Sequence, residues 1–381
     1  MDKVTNKGDI ELLEVVGASD LNRFIKLPFA LYEGDPNWVP PLISERKEFF
    51  NKSKNPFYRA ARTRLFVARK NGRDVGRIAT CVNFNHNEFH EEKTGFFGFF
   101  DVIDDYEVAE VLLKTAMITL KGEGLEQMLG PANFSTNHEV GVLVEGFDRP
   151  PTLMMTYNKP YYGDLLEKFG LRKAKDLLAF RIDTETKMDP RLFRIADRLK
   201  EREGINIRTL DMNNYDREVE MINEIYNQAW SKNWGFVPMS VDEFRHMAKD
   251  MKQIVDPDLV YIAEVQGKPV GFALSLPNIN QALIHTNGRL FPTGLIKLLW
   301  HTKIKNKVDS IRIVTLGVIP EYQKRGLDAI FYVETFNNGP KKGYKWGEMS
   351  WVLEDNFAMV RAAETMGGVL YKRYRMYGMR V

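Results

Sequence analysis

The sequence predicts an α/β chain with a mixed α+β sheet in each of two similar halves. Three observations predict it. Period-2 apolar segments take turns along the chain with segments whose apolar residues recur at helical spacing. A hairpin pattern at 65–83, L-F-V-A-R-K-N-G-R-D-V-G-R-I-A-T-C-V-N, returns at 260–278 as V-Y-I-A-E-V-Q-G-K-P-V-G-F-A-L-S-L-P-N. A β-branched strand, a basic turn holding one glycine and a helix start follow one another at 310–333.

The repeat rests on three matches in the same order. A shift of 195 (263 − 68) aligns Ala68 with Ala263, Gly72 with Gly267, Gly76 with Gly271 and Asn83 with Asn278. D-V-I-D-D-Y-E at 101–107 then pairs with G-V-I-P-E-Y-Q at 317–323, and L-L-E-K-F-G-L at 165–171 with A-A-E-T-M-G-G at 362–368. Matches that keep their order argue for duplication, with domains expected at 1–185 and 186–381.

The first half opens with an expected strand at 10–16 and a helix from Asp20 to Tyr32. Asp35-Pro36-Asn37-Trp38-Val39-Pro40-Pro41 is proline-restricted and extended, suited to a rim or a packed surface loop. After the hairpin come a Phe-rich strand at 95–102 and a helix at 105–122. Gly130 to Glu139 reads as a polar, irregular loop, in which Asn133 and His138 are candidate substrate-pocket residues or members of an exposed turn. A helix begins near 157–162, and a closing strand is expected at 173–183. The segment 184–190 is the expected junction, followed by a helix at 190–203.

The second half restarts with a strand at 205–210 and helices at 215–230 and 240–254. Between the helices, Trp234 and Phe236 are candidates for substrate contact, with core packing as the alternative. An insert at 277–307 contains G-R-L-F-P-T-G and a helix expected at 295–305. Next come the strand at 311–319, a helix from Leu327, a strand at 345–353 and a last strand at 370–380.

The strand–turn–helix at 310–333 has the makings of an anion site. The first N–H groups of a helix lack intrahelical partners, and the helix dipole favours negative charge there. Gly326 permits close approach of a ligand to the main chain, and Lys324 and Arg325 add positive charge. Residues 318–329 resemble the acyl-CoA-binding motif of the GNAT acyltransferases, Q/R-x-x-G-x-G/A: Gln323 takes the first position and Gly326 the central glycine, while Asp328 stands where Gly or Ala is usual. The resemblance spans both halves and implies two tandem GNAT-like acyl-CoA N-acyltransferase domains. It implies a CoA pyrophosphate held at Gln323, Lys324, Arg325, Gly326, Leu327 and Asp328, and a thioester carbonyl held near Leu316, Gly317 and Val318. It also implies a cofactor-side role for Asn356, which matches the Asn of N-x-x-A-x-x-L-Y-x-x-x-G-F. Ala363 stands at that motif's tyrosine, so the acid is sought elsewhere, with Tyr371 and Tyr374 as candidates. Glu348 and Glu354 are candidate bases, each with a salt-bridged surface role as the alternative. In the first half, Glu107 and Glu110 occupy the positions of Gln323 and Gly326, so that copy is expected not to bind CoA there.

Composition narrows the rest. A formal charge of +3 over 381 residues gives no argument for nucleic acid or an anionic membrane. One cysteine, Cys81, excludes an intrachain disulfide and a cysteine-rich metal site. His86 and His90 have i,i+4 spacing, but their stretch reads as a loop, and no metal is expected. The amino terminus has no signal-peptide core, and no apolar run is long enough to span a membrane. The expected protein is cytoplasmic, uses acetyl-CoA or another acyl-CoA, and takes a small-molecule or peptide amine acceptor, with neither nucleic acid nor membrane as partner. Two other readings stand beside it: a non-catalytic acyl-CoA-binding or sensing protein, favoured by Asp328 and Ala363, and a Fem- or mycothiol-synthase-like transferase, families that also use paired GNAT-like folds.

Overall fold

The computed structural model describes residues 2–186, 188–304 and 307–381, and the chain in it forms two compact units. The first contains 1–177, 283–298 and 372–381, and the second 178–282 and 299–371.

The first unit begins with β1 (Asp2–Lys7) and β2 (Ile10–Glu14), then α1 (Ala18–Leu31) and α2 (Ile43–Phe49). The hairpin β3 (Ala61–Lys70) and β4 (Arg73–Asn83) follows, then α3 (Phe84–His90), β5 (Thr94–Val102) and α4 (Tyr106–Gly122). The short strands β6 (Gln127–Gly130) and β7 (Val142–Glu145), α5 (Tyr162–Phe169) and β8 (Arg172–Asp183) complete the half. Strands run in the order β1-β2-β3-β4-β5-β6, and β6 and β7 both pair with β14 (Val369–Arg380), the last strand of the chain. One face of α4, lined by Val108, Leu112, Ala116 and Leu120, packs with Phe66, Ile78 and Phe97 into the unit's core.

The second half runs α6 (Pro190–Glu203), β9 (Ile205–Thr209), α7 (Tyr215–Ala229), α8 (Val241–Met251), β10 (Val260–Val265) and β11 (Lys268–Pro277). It continues with α9 (Asn280–Leu283), α10 (Gly294–Leu299), β12 (Ser310–Val318), α11 (Leu327–Asn338), β13 (Trp346–Leu353) and α12 (Phe357–Thr365) before β14. Its strand order is β9-β10-β11-β12-β13-β8. Helices α11 and α6 cover one face through Ile330, Phe331 and Ala196, and α7 and α8 cover another through Ile222, Ile225 and Phe244.

The two hairpins are copies in detail. Both turn through a Gly with φ +75° preceded by a left-handed residue, Asn71 (φ 51°) or Gln266 (φ 52°), the backbone of a type I′ hairpin turn. Both register shifts fall at aligned positions, Ala68/Arg69 and Ala263/Glu264.

The compact units depart from a simple cut near 185 in two ways. The closing strands are exchanged: 178–183 of β8 belong to the second unit, and 372–380 of β14 to the first. The stretch 283–298 of the insert also belongs to the first unit, where Ile43 N–H donates to Gly288 O at 2.9 Å. Lys187, within the expected junction, lies outside the described residues. So does Lys305, the end of the helix expected at 295–305; that helix is instead α10 followed by a wider π-type turn at Trp300–Ile304. The stretch holding His86 and His90, read above as a loop, is helix α3. Asn83 caps it by accepting from His86 N–H, and the i,i+4 spacing brings the two rings to 4.5 Å.

Candidate active site

The site in the second unit starts from a parting of strands. β12 pairs antiparallel with β11 along its length, with a register shift that leaves Val314 without a cross-strand partner. β12 pairs parallel with β13 only from Ser310↔Trp346 to Ile313↔Met349. Beyond that point the main-chain edge of 314–318 carries no ladder to β13. Thr315 Oγ1 is buried in this stretch with no hydrogen-bond partner. An orphaned buried hydroxyl costs about 1–3 kcal/mol and marks a place for a polar ligand atom or a water. Leu316 lines the parted edge half-buried, and Gly317 and Val318 end it buried.

The strand stops at Pro320 and the chain turns into α11. Gly326 has φ +85°, a conformation that a side chain would strain. A Cβ there would also lie 2.6 Å from Leu199 Cδ1 of α6, so the glycine is needed for packing as well as for conformation. Gly326 is the N-cap, and no side chain caps the helix. The first-turn amides, Leu327 and Asp328 among them, therefore point from an uncapped helix start. Gln323 Nε2 donates to Val318 O at 3.0 Å and to Ala229 O at 3.4 Å, pinning the turn to the strand end. Arg325 lies 3.3 Å from Glu203 and over the Tyr322 ring, while Lys324 is exposed.

At the root of the parting lies a carboxylate. Glu348 is fully buried; Ser350 Oγ donates to its Oε1 and the Tyr371 hydroxyl to its Oε2. Arg312 Nε is 4.0 Å from Glu348 and donates to Ser350 Oγ at 2.8 Å. Arg312 and Glu348 face each other on the third rung of the parallel ladder, one rung before it ends. Glu348 and Tyr371, both predicted from sequence, are thus in contact. Arg312 was missed; its signal is a lone charge inside S-I-R-I-V. Ser350, two residues along β13, shares a face of the strand with Glu348. Glu354 lies past the end of β13, six residue rises of about 3.3 Å beyond Glu348.

The first unit builds the same frame and fills it. β5 meets β6 only from Thr94↔Gln127 to Phe96↔Leu129, and the third rung holds Phe96 and Leu129. The gap beyond is occupied by the loop that follows β6. Ala132 N–H donates to Phe97 O at 2.7 Å, and the Asn133 side chain accepts from Phe99 N–H at 2.7 Å. A Cβ on Gly98 would lie 1.8 Å from Ala132 O. Asn133 and His138, predicted as pocket residues, belong to this plug instead. Asn133 donates to Glu139 at 2.9 Å, and His138 pairs with Ser135 Oγ at 3.0 Å among the rings of Phe49 and Phe57. Burial pushes the His138 imidazole down to about 4. Burial alone would raise the Glu139 carboxyl, but Arg46 and Asn133 hold it below the usual range. Helix α4 is capped from within: Asp105 accepts from Glu107 N–H at 2.9 Å and pairs with Lys70 at 2.7 Å, while Glu110 pairs with Lys7.

Other predicted residues have local roles. Phe236 is buried against Tyr226, ring centroids 5.7 Å apart, and Trp234 is half-buried in the same turn. Asn356 caps α12 by accepting from Met359 N–H at 3.3 Å, and Ala363 is a core residue of that helix. Cys81 is buried, which raises its thiol well above the ordinary range. Among the described residues no group of three or more His, Cys, Asp or Glu side chains is arranged to hold a metal, and no helix is long and apolar enough to cross a membrane.

Comparison with known proteins supports this geometry. No family profile matches the chain. Among solved structures, a tandem GNAT protein from the clavulanic acid biosynthesis pathway superposes with a TM-score of 0.56 at 11% identity, covering 97% of this chain and 98% of that one. A GCN5-related N-acetyltransferase from Sphaerobacter thermophilus superposes with a TM-score of 0.54 at 13% identity, covering 99% and 97%. In sequence, the chain is 40% identical over 381 residues to a bacterial ceramide synthase of Caulobacter vibrioides, covering 98% of each. It is 38% identical over 364 residues to protein YghO of Escherichia coli, covering 94% of this chain and 92% of that one. The chain has the tandem GNAT fold and belongs to the family that includes the Caulobacter ceramide synthase and YghO.

Proposed function

We propose that the chain is an acyl-CoA-dependent N-acyltransferase, that its second unit holds the thioester, and that its acceptor is a long-chain amino alcohol. The observation that carries the reading is the parted β12/β13 edge, with the orphaned Thr315 hydroxyl, joined to an uncapped, glycine-led helix. The relative's name supplies the acceptor class. A ceramide is an N-acylated long-chain amino alcohol, so a ceramide synthase closes an amide bond, and the similarity runs the length of both chains.

In this reading the pyrophosphate rests on the amides at 325–328, with Lys324 and Arg325 adding charge. The thioester carbonyl lies against the main chain at Leu316–Val318. The neutral amine attacks that carbon, the oxyanion is held by main-chain N–H, and collapse breaks the C–S bond to release the CoA thiolate. The amine must shed one N–H proton as the amide forms. Glu348 accepts it, and the Tyr371 hydroxyl is the proton path toward the leaving thiolate.

The test is thiol release from acyl-CoAs of graded chain length, with and without a long-chain amino alcohol, and mass spectrometry of the amide. Release that depends on the amino alcohol, with a matching amide mass, is expected. Acyl-CoA binding without thiol release for any amine would overturn it in favour of the sensing reading.

A further inference from the structure

One helical stretch is turned inside out. Among the described residues, six of the sixteen exposed large hydrophobics fall between positions 291 and 304: Phe291, Leu295, Ile296, Leu299, Trp300 and Ile304. Phe291 is 78% exposed, Ile296 67% and Ile304 65%. The half-buried positions of the same stretch are Leu298, His301 and Thr302, at helical spacing from one another. Two of these three sheltered residues are polar, while an apolar stripe that includes Trp300 faces outward. A water-facing helix has the opposite pattern.

The charge along the sequence here has one sign. The sequence holds no Asp or Glu between Glu264 and Asp309, while Arg289, Lys297, Lys303, Lys305 and Lys307 all fall there. Arg289, Lys297 and Lys307 are exposed. The overall charge of +3, from which no membrane contact was expected, averages over this local excess. Outward Leu, Ile, Phe and Trp flanked by cations are the pattern of a helix that lies in a membrane interface. Tryptophan suits the headgroup level, and lysine stems extend along apolar surface while their ammonium groups stay in water. A second copy of the chain fits poorly, because a two-fold contact would set this lysine-rich face against itself.

We propose that residues 291–304 form an anchor that lays its apolar stripe into the headgroup–acyl boundary of an anionic bilayer, with the flanking cations on lipid phosphates. The segment is too short to span. It docks the protein reversibly, and the proposal does not depend on which reaction the second unit performs.

Cosedimentation of the full chain with vesicles tests this without any substrate. One set is phosphatidylcholine alone, and the other is three parts phosphatidylcholine to one part phosphatidylglycerol. The wild type is expected to partition onto the anionic vesicles and to be released by salt. A triple variant, Ile296→Ser, Leu299→Ser and Trp300→Ser, changes only exposed side chains and is expected to weaken partitioning on the order of 100-fold. Arg289→Glu with Lys297→Glu is expected to weaken it about tenfold, and this pair keeps the test independent of the serine variant's folding. Wild type that stays in the supernatant with both vesicle sets would overturn the proposal. So would equal partitioning of all three proteins, or a wild-type oligomer that the triple variant dissolves, which would assign the face to a second copy.

Discussion

The third rung of the parallel ladder is Phe96–Leu129 in the first unit and Arg312–Glu348 in the second. The frames around these rungs match: an antiparallel hairpin, an irregular strand beside it, and a parallel pair that parts after three or four rungs. What differs is what each frame holds. The first unit has an apolar rung, a loop wedged into the gap and a helix capped by its own Asp105. The second has a buried ion pair, an open strand edge and a helix with no side-chain cap. A duplicated fold can keep its strand geometry while one copy spends the gap on packing and the other leaves it for a ligand. Burying an ion pair is weak support for stability, and on this rung the second copy carries one where the first has Phe96 and Leu129.

The largest test removes that chemistry. Glu348→Gln is expected to lower kcat on the order of 100- to 10,000-fold while acyl-CoA binding by calorimetry is retained. It also leaves Arg312 buried beside a neutral amide, so a loss of about 3 kcal/mol in denaturant unfolding is expected. A variant that keeps full turnover would return Glu348 to a purely structural role. The next test attacks the plug of the first unit. Gly98→Ala forces a methyl group to 1.8 Å from Ala132 O, which neither strand nor loop can absorb locally. A loss of about 3 kcal/mol is expected, read as a lowered melting transition. An unchanged transition would mean that the loop is not wedged there.

The longer elements of both units were legible because their periodicity is strong, whereas the short helix α3 was read as a loop. The helix at 190–203 and the 65–83 hairpin were readable from apolar spacing and the turn glycines. The exchange of β8 and β14 was not, since both closing strands have the same pattern and either sheet satisfies it. Strand β6 has only four residues, too few to show a period. In the site, the glycine turn was legible from Gly326, and Glu348 as a carboxylate in the strand expected at 345–353. Its partner Arg312 was not, because pairing across a parallel ladder depends on register, which the local sequence does not carry. The plug was read as a polar loop because Asn133, Ser135 and His138 are polar; their bonds to one another and to β5 are long-range facts.

Acid gives a third way to separate the units. Burial lowers His138 to about 4 from an ordinary 6.5, and His86 likewise. The unfolded chain therefore takes up these protons first. Stability is intact above pH 6.5 and falls as pH drops toward 4. For His138, partly screened by solvent, a loss of about 1–2 kcal/mol by pH 5 is expected. His138→Gln keeps a hydrogen-bonding side chain and should flatten this slope in melts at pH 7 and pH 5. The same slope in both proteins would show that His138 is not the group that senses acid.

The smallest test sharpens the contrast between the two helix starts. Arg325 is exposed beside an uncapped N-terminus, and its pairing with Glu203 at 3.3 Å is a surface contact. Such a pair contributes about 0–1 kcal/mol, so Arg325→Glu should leave the fold intact. It places a negative charge where a pyrophosphate is proposed to bind, and an increase of about tenfold in the Kd for acyl-CoA is expected, shrinking with added salt. Gly326 is the poorer probe, because any side chain there meets Leu199 and would confound binding with packing. The control belongs to the other unit. Glu107→Lys adds a cation to the first turn of α4, whose Glu107 amide already donates to Asp105. With that donor occupied and the strand gap filled, the added charge should leave acyl-CoA affinity unchanged. A gain in affinity would mean that the first helix start is still an anion site held off only by its acidic residues. The plug would then be a later addition to a binding copy.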